Sequence, residues 1–187
     1  MAFTTRSRAA REAVLAAARR AFAAHGYERT TVRAVAADAG VDPSMVIRYY
    51  GSKDDLFRAA TAVDLALPDL SQVPQAERGT ALARRFVALW DDPETGEVLT
   101  VLLRSASTSS EAAARVRETF ADQVLVMVRH LADAEDPGVE ARAAALGSFM
   151  LGTALARYVL ELPPLATAPA AEVVATMAPV VDAILAS

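Results

Sequence analysis

The stretch TTVRAVAADAGVDPSMVIRYYGSKDDLF, from Thr30 to Phe57, decides the fold of this protein. Its apolar residues at positions 32, 35, 36 and 39 recur at the spacing of one narrow helix face. Thr30 or Thr31 offers the hydroxyl that commonly caps the start of such a helix, and Gly40 is expected to end it. The stretch therefore begins with a short helix that buries a single stripe.

A second short helix follows after the turn at residues 40 and 41. Asp42 is expected to cap it, with Pro43 in the first helical position, where a missing N–H costs nothing. Two helices joined by a three-residue turn that contains glycine form a helix-turn-helix motif. Val46 and Tyr50 lie one turn apart and are expected to face inward. The other side chains then form an exposed face wide enough to indicate an external partner: Ser44, Met45, Ile47, Arg48 and Tyr49.

A further helix is expected on each side of this motif. The preceding one runs over about Ser7–Ala24, and Gly26 stops it in a left-handed conformation. The following one is capped by Ser52 and spans residues 53–67. This last helix is expected to connect the N-terminal domain to the remainder of the chain.

The remainder is also helical, because Ala, Leu, Arg and Glu dominate and β-branched residues do not alternate. The sequence therefore predicts an all-α protein with about nine helices, divided into a helix-turn-helix domain over residues 1–52 and a helical domain over residues 53–187. The last two helices are apolar on nearly every side, so they must be buried. The five helices expected after the connecting helix are Gln75–Trp90, Thr95–Ser107, Ser110–Ala134, Val139–Leu160 and Ala170–Leu185.

Charge is distributed unevenly along the chain. The 187 residues have a net charge of −4, yet residues 1–60 contain ten Lys or Arg against six Asp or Glu. The remaining residues contain nine against 17. A basic N-terminal part followed by an acidic remainder indicates that only residues 1–60 face a polyanion. The alternative is that the imbalance is uneven solvated charge without a function.

The composition argues against several function classes. The chain has no cysteine, which excludes disulfides, zinc fingers and thiol nucleophiles. Its two histidines, His25 and His130, lie far apart, and the sequence has neither a metal-spaced cluster nor a phosphate-binding glycine loop. We therefore expect no enzymatic activity, no catalytic residues, no metal and no cofactor. The absence of a secretory or membrane-spanning pattern favours a cytoplasmic protein.

Residues 11–57 resemble the N-terminal domain of the tetracycline-repressor (TetR-like) family of transcriptional regulators. The resemblance implies a homodimer, paired through the last two helices, that represses transcription by binding palindromic operator DNA at the nucleoid. It also implies that a small-molecule effector enters the larger domain and releases the DNA. Burial of the last two helices inside a monomer is the alternative to dimerisation. The matching residues are Ala18, Phe22, Gly26-Tyr27, Thr30-Thr31-Val32, Ala36, Ala39-Gly40-Val41, Tyr50, Ser52-Lys53 and Leu56-Phe57.

The resemblance also implies which residues contact DNA. Thr31, Tyr49 and Lys53, the only lysine in the chain, would hold phosphates. Either of two arginines, at positions 33 and 48, would alternatively pair with Asp38 or Asp42 of the protein itself. The candidates for base readout are Arg33, Ser44, Met45 and Arg48.

Ile47 departs from the family pattern, which usually has tyrosine at this position. Its side chain would contact a thymine methyl group or serve a structural role instead. The departure is also the one observation that favours a different function, a helical adaptor or sensor that no longer binds DNA.

The larger domain contains the aromatic and aliphatic residues of a mostly apolar effector cavity. Most of them are expected to be ordinary core residues, and a minority to contact the effector. The main candidates are Phe86, Trp90, Leu102, Leu103, Phe120, Met127 and Phe149.

Overall fold

The protein is all-α over the residues that its structure, a computed structural model, describes, namely 5–132 and 136–187. Nine helices occur in these ranges, which confirms the predicted fold class. They are α1 (Thr5–Arg29), α2 (Val32–Asp38), α3 (Pro43–Tyr50), α4 (Lys53–Ala60), α5 (Arg78–Asp91), α6 (Pro93–Ser105), α7 (Ser110–Thr119, continued by the π-helical segment Phe120–Leu125 and by Val126–Leu131), α8 (Val139–Ala154, continued by the π-helical segment Leu155–Val159) and α9 (Ala170–Ala186). The end predicted for α7, at Ala134, lies outside the described residues.

The chain forms two compact units, and the first contains α1 to α4 together with residues 97–116. Its core is built on Phe22 and Phe57, whose rings meet edge to face with centroids 4.9 Å apart. Each such buried side chain contributes about 1.5–3 kcal/mol to folding through the hydrophobic effect. Other core side chains come from every helix of the unit: Val14, Val35, Val46, Leu56, Leu102 and Ala112.

Gly26 breaks the first helix where the sequence predicts its end, and a short helical stretch that follows is joined to it across a kink. The helix continues to Arg29 across a kink at this glycine, which has φ 71° and ψ 178°. That backbone conformation is open only to glycine at little cost. The break turns Tyr27 into the core, where its ring meets Phe57 with centroids 5.0 Å apart. Thr30, only 2% exposed, then donates its hydroxyl to the Gly26 carbonyl at 2.8 Å.

Helix α4 is shorter than predicted and ends at Ala60 instead of near residue 67. The Thr61 hydroxyl donates to the Phe57 carbonyl at 2.8 Å, and the same carbonyl accepts the Thr61 N–H at 2.9 Å. The backbone is then irregular as far as Asp69, and Ala66 has a positive φ of 42°.

The second unit contains residues 64–96 and 117–187. Helix α5 packs closely on α9, where the Gly79 N–H donates to the Asp182 carboxylate at 2.7 Å. The core of this unit includes Leu70, Leu82, Met127, Val128, Leu146 and Val181. The boundary predicted between functional domains at residues 52 and 53 stays a prediction, because packing units and functional domains need not coincide.

Candidate DNA-binding surface and effector region

Side-chain caps fix the start of both helices of the motif. The Thr31 hydroxyl accepts the Ala34 N–H at 3.1 Å, so Thr31 caps α2. The Asp42 carboxylate accepts both the N–H and the hydroxyl of Ser44, at 2.8 and 2.6 Å. These bonds hold the pKa of Asp42 below its usual range. The predicted cap at Asp42 and the turn at Gly40, with φ 66°, are confirmed.

The outer face of α3 is polar except for Ile47, which is 46% exposed. Ser44 and Arg48 are exposed beside it, Met45 is half-buried, and Arg33 of α2 is exposed as well. The Arg48 guanidinium lies 5.5 Å from the centre of the Tyr49 ring. An exposed isoleucine contributes little to the core of this unit.

The predicted alternative partners of the two arginines are engaged elsewhere. Asp38 forms an ion pair with Arg20 of α1 at 2.7 Å, and Asp42 caps α3. Within the described ranges, neither Arg33 nor Arg48 has a carboxylate within 4.0 Å. Of the two guanidinium groups, the one of Arg48 contacts the Tyr49 side chain instead.

The two tyrosines of α3 exchange the places that the helical spacing predicted. Tyr49 is only 9% exposed and belongs to the core, whereas Tyr50 is half-buried. The Tyr50 hydroxyl donates to the Arg11 carbonyl of α1 at 2.9 Å. Residues three and four positions after Val46 lie on nearly the same helix face, so the spacing alone does not decide between Tyr49 and Tyr50. The prediction that Tyr49 faces outward is wrong, and its phosphate contact stays a prediction.

Lys53 lies at the start of α4, which Ser52 caps by accepting the Asp55 N–H at 3.0 Å. The lysine Nζ lies 4.2 Å from the centre of the Tyr27 ring and donates to the Glu28 carbonyl at 3.3 Å. These contacts hold the ammonium beside the N-terminus of a helix, where anions are stabilised. The sequence reasoning missed the role of Tyr27 as a platform, although its place after Gly26 was a signal.

The Tyr27 hydroxyl donates to the Asp54 carboxylate. Burial raises the pKa of Tyr27 above its usual value, and this hydrogen bond raises it further. The phenol therefore remains neutral, and the face of its ring stays a favourable partner for the Lys53 ammonium.

The seven candidate effector residues do not all belong to one unit. Leu102 and Leu103 belong to the first unit, and Leu102 packs in its core. Helical spacing identifies a leucine as buried but does not tell which core receives it. In the second unit, Phe120 and Phe149 pack around the core that contains Met127.

Phe86 and Trp90 form an aromatic cluster with Tyr158 in the second unit. The Trp90 and Tyr158 rings stack with centroids 5.1 Å apart, and Phe86 lies 6.1 Å from Trp90. The Tyr158 hydroxyl donates to Asp91 at 2.9 Å. Burial is the main cause that raises the pKa of Tyr158 to about 12. The rings pack on one another, with Phe86 buried and Trp90 and Tyr158 half-buried.

A cleft of about 320 Å³ lies between residues 64–71 and α7. Of the seven candidates, only Met127 lines it. The polar residues that line it were missed, because the segment that forms one wall was expected to be helical as far as residue 67 and its contact with α7 was not foreseen. They are Asp64, Asp69, Ser71, Gln123 and His130.

Two further observations concern the described part of the chain. No helix there combines the length and the apolar character needed to cross a membrane. No group of three or more His, Asp or Glu side chains there is arranged to hold a metal ion.

Comparison with known families gives two matches. Residues 14–60 match the family described as bacterial regulatory proteins, tetR family, and residues 76–185 match the tetracyclin repressor-like C-terminal domain. Among curated proteins, the HTH-type transcriptional repressor AcnR of Corynebacterium glutamicum is 31% identical over 93 residues, which cover 50% of this chain and 47% of AcnR. The match thus spans about half the length of that relative.

Solved structures share the fold over the whole chain. A TetR-family regulator from Streptomyces coelicolor superposes with a TM-score of 0.75 and 30% identity, covering 100% of both chains. NalD of Pseudomonas aeruginosa, described as the secondary repressor of the MexAB-OprM multidrug efflux pump, superposes with a TM-score of 0.69 and 19% identity. That second likeness, which covers 93% of this chain and 96% of NalD, concerns the fold alone.

Proposed function

Because this chain belongs to the TetR family of bacterial transcriptional regulators, we propose that it is a ligand-responsive repressor that binds palindromic operator DNA as a homodimer. A small-molecule effector bound in the second unit releases the DNA. The protein acts in the cytoplasm, at the nucleoid. The observation that carries this proposal is the outer face of α3, where exposed Ile47 and Arg48 have no role in the core.

Recognition of a duplex needs groups that position the protein and groups that distinguish bases. Thr31 and Lys53 lie at the N-termini of α2 and α4, which suits contact with phosphates. The Tyr49 hydroxyl, at the end of a largely buried ring, would also contact a phosphate. Arg48 and Arg33 can each donate two hydrogen bonds to guanine in the major groove, while Ser44 and Met45 adapt to other base edges.

An apolar stripe on α8 supports dimerisation through α8 and α9. Leu151 and Leu155 are each 39% exposed, and a methyl group added to Gly152 would meet nothing within 4 Å. Burial inside the monomer does not account for these exposed leucines, whereas a second copy would cover them. Val180 of α9, 40% exposed, extends the apolar surface. The stripe consists of the exposed residues Ala141, Ala144, Ala145, Ser148, Leu151, Gly152 and Leu155.

A dimer also meets the needs of recognition. One short helix contacts too few base pairs for specificity, whereas two related by a twofold axis read a palindrome whose half-sites lie one helical turn or a multiple apart. An adaptor without DNA binding would leave the exposed arginines of α2 and α3 without a function. Titrating the protein against its own upstream DNA at several salt concentrations separates these two functions.

Replacing Lys53 by alanine is expected to weaken binding to every DNA sequence alike. Loss of one phosphate contact per subunit lowers the slope of log affinity against log salt by roughly 1 for each subunit. Arg48→Ala is expected instead to relax preference at particular bases, at a cost of about 1–3 kcal/mol per contact. Fluorescence anisotropy with operator and random duplexes measures both effects. Arg84→Ala, an exposed arginine of the second unit, serves as the control.

Equal losses on operator and random DNA for both variants would contradict these roles. So would an Arg84→Ala variant as impaired as Lys53→Ala, because the effect would then reflect total charge. Circular dichroism checks that Lys53→Ala, which also removes the contact with Tyr27, keeps its helical content.

Ile47 is expected to contact one thymine methyl group in each half-site. Replacing that thymine by deoxyuridine removes only the methyl group, at a cost of about 0.8 kcal/mol or roughly fourfold in affinity per half-site. The same replacement should leave the affinity of Ile47→Ala unchanged. A scan of symmetric thymine-to-uracil replacements, measured with both proteins, identifies the contacted base. A scan in which no position distinguishes the two proteins rules this contact out.

A further inference from the structure

The cleft of about 320 Å³ in the second unit has the size of a small-molecule site. One wall is the segment over residues 64–71, which is irregular as far as Asp69, and the other is the face of α7 from Gln123 to Leu131. Val126 at this face is 39% exposed, so a ligand here would cover apolar surface that the chain leaves in water. The apolar lining residues are Ala66, Leu67, Pro68, Leu70, Val126, Met127 and Leu131.

The charged groups of the cleft favour a cation. Asp64 and Asp69 both line it, and the described lining includes neither lysine nor arginine. His130 is the one titratable base among these lining residues. Two arginines of α5, Arg78 and Arg85, donate to backbone carbonyls of the same segment but do not line the cleft. Both guanidinium groups keep their charge, but their Nε atoms are directed at the backbone of this segment and neither side chain lines the cleft.

The acidic character of the cleft persists at neutral pH. Hydrogen bonds from the hydroxyl and the N–H of Ser71, at 2.6 and 3.0 Å, are the main causes that lower the pKa of Asp69. Asp64 accepts the Ala66 N–H through one carboxylate oxygen at 2.8 Å. Both carboxylates are thus held in place by the segment that forms the wall.

We propose that this cleft binds a small organic cation with an apolar portion, and that this cation is the effector, a role that rests on the repressor function proposed above. Two carboxylates on an apolar floor complement an ammonium group attached to a hydrocarbon. A neutral molecule of the same shape lacks the Coulomb attraction, and an anion would be repelled.

The wall of the cleft is held by groups that a ligand can disturb. The Leu65 N–H donates to the Gln123 side chain at 2.7 Å, and the Leu65 carbonyl accepts from Arg85 at 2.7 Å. Gln123 itself lines the cleft and belongs to the π-helical segment of α7. Leu65 lies five residues after the end of α4 at Ala60. A ligand that competes for Gln123 would therefore alter the chain shortly after the helix that begins at Lys53.

The binding test uses the full chain without DNA and benzyltrimethylammonium as the probe. Calorimetry should detect it, while the neutral near-isostere 2-methyl-1-phenylpropan-2-ol and the anion phenylacetate should bind at least about tenfold more weakly. Asp64→Asn with Asp69→Asn should weaken the cation about tenfold, and asparagine keeps the capping ability of aspartate. Asp122→Asn, an exposed carboxylate of α7 outside the cleft, should change its affinity less than about twofold.

Three results would overturn the site: no binding of the cation at about 10 mM, equal binding of the neutral alcohol, or an unchanged affinity in the double variant. The effector role is tested separately, by adding the cation to the complex with operator DNA. Operator affinity should fall about fivefold or more, as is typical of allosteric coupling. Binding of the cation without release of DNA overturns the effector role alone. A chain that never binds operator DNA overturns the repressor function. In that case the calorimetry still tests whether the cleft binds the cation.

Discussion

Replacing Leu151 by arginine is expected to convert the proposed dimer into a monomer. The side chain is 39% exposed at the centre of the α8 stripe, so the monomer itself can accommodate the change. In a twofold interface each substitution occurs twice, and two guanidinium groups without partners would be buried against apolar surface. Because one copy of α3 cannot contact both half-sites of a palindrome, operator affinity should fall by at least about a hundredfold.

Sedimentation equilibrium measures the mass of this variant, and anisotropy measures its affinity for operator DNA. The matched control is Ala88→Arg, which places the same side chain at an exposed position of α5. That control should remain dimeric and bind DNA normally. A dimeric Leu151→Arg variant, or a wild-type chain that is monomeric at micromolar concentration, would rule out this interface.

Replacing Gly79 by alanine is expected to destabilise the second unit by about 2–4 kcal/mol. The added methyl carbon would lie 2.2 Å from the Ala178 backbone oxygen and 2.6 Å from the Asp182 Cγ. A backbone oxygen cannot rotate away, so α5 and α9 would have to separate and the hydrogen bond from the Gly79 N–H to Asp182 would lengthen. This cost exceeds the gain in helix propensity from glycine to alanine, about 1 kcal/mol.

Urea unfolding followed by circular dichroism measures the effect as a lower midpoint at constant slope. Thr80→Ala changes the neighbouring residue of the same helix turn and should cost less than about 1 kcal/mol. If Gly79→Ala were as stable as the wild type, the close approach of α5 to α9 would be disproved.

Local signals in the sequence were sufficient for much of the DNA-binding surface. The caps at Thr31, Asp42 and Ser52 lie where the sequence placed them, because each cap depends only on a side chain and an N–H two or three residues later. The helix-turn-helix motif and the all-α class follow from the same short-range rules. The proposed base contacts of Arg48 likewise rest on its place in α3, and the structure adds its exposure.

Contacts between distant residues decided the rest. Periodicity alone treats positions 49 and 50 as nearly equal, yet Tyr49 is only 9% exposed and Tyr50 is half-buried, with the hydroxyls of both in contact with α1. Leu102 belongs to the core that contains Phe22, and helical spacing does not tell which core a buried leucine joins. The cleft beside Gln123 depends on where α4 ends and on the contact between Leu65 and Gln123, which are about sixty residues apart in sequence. The position of each helix along the chain follows from interactions between residues that are near in sequence. Which side of a helix is buried depends on residues that are distant in sequence and come into contact only when the chain folds.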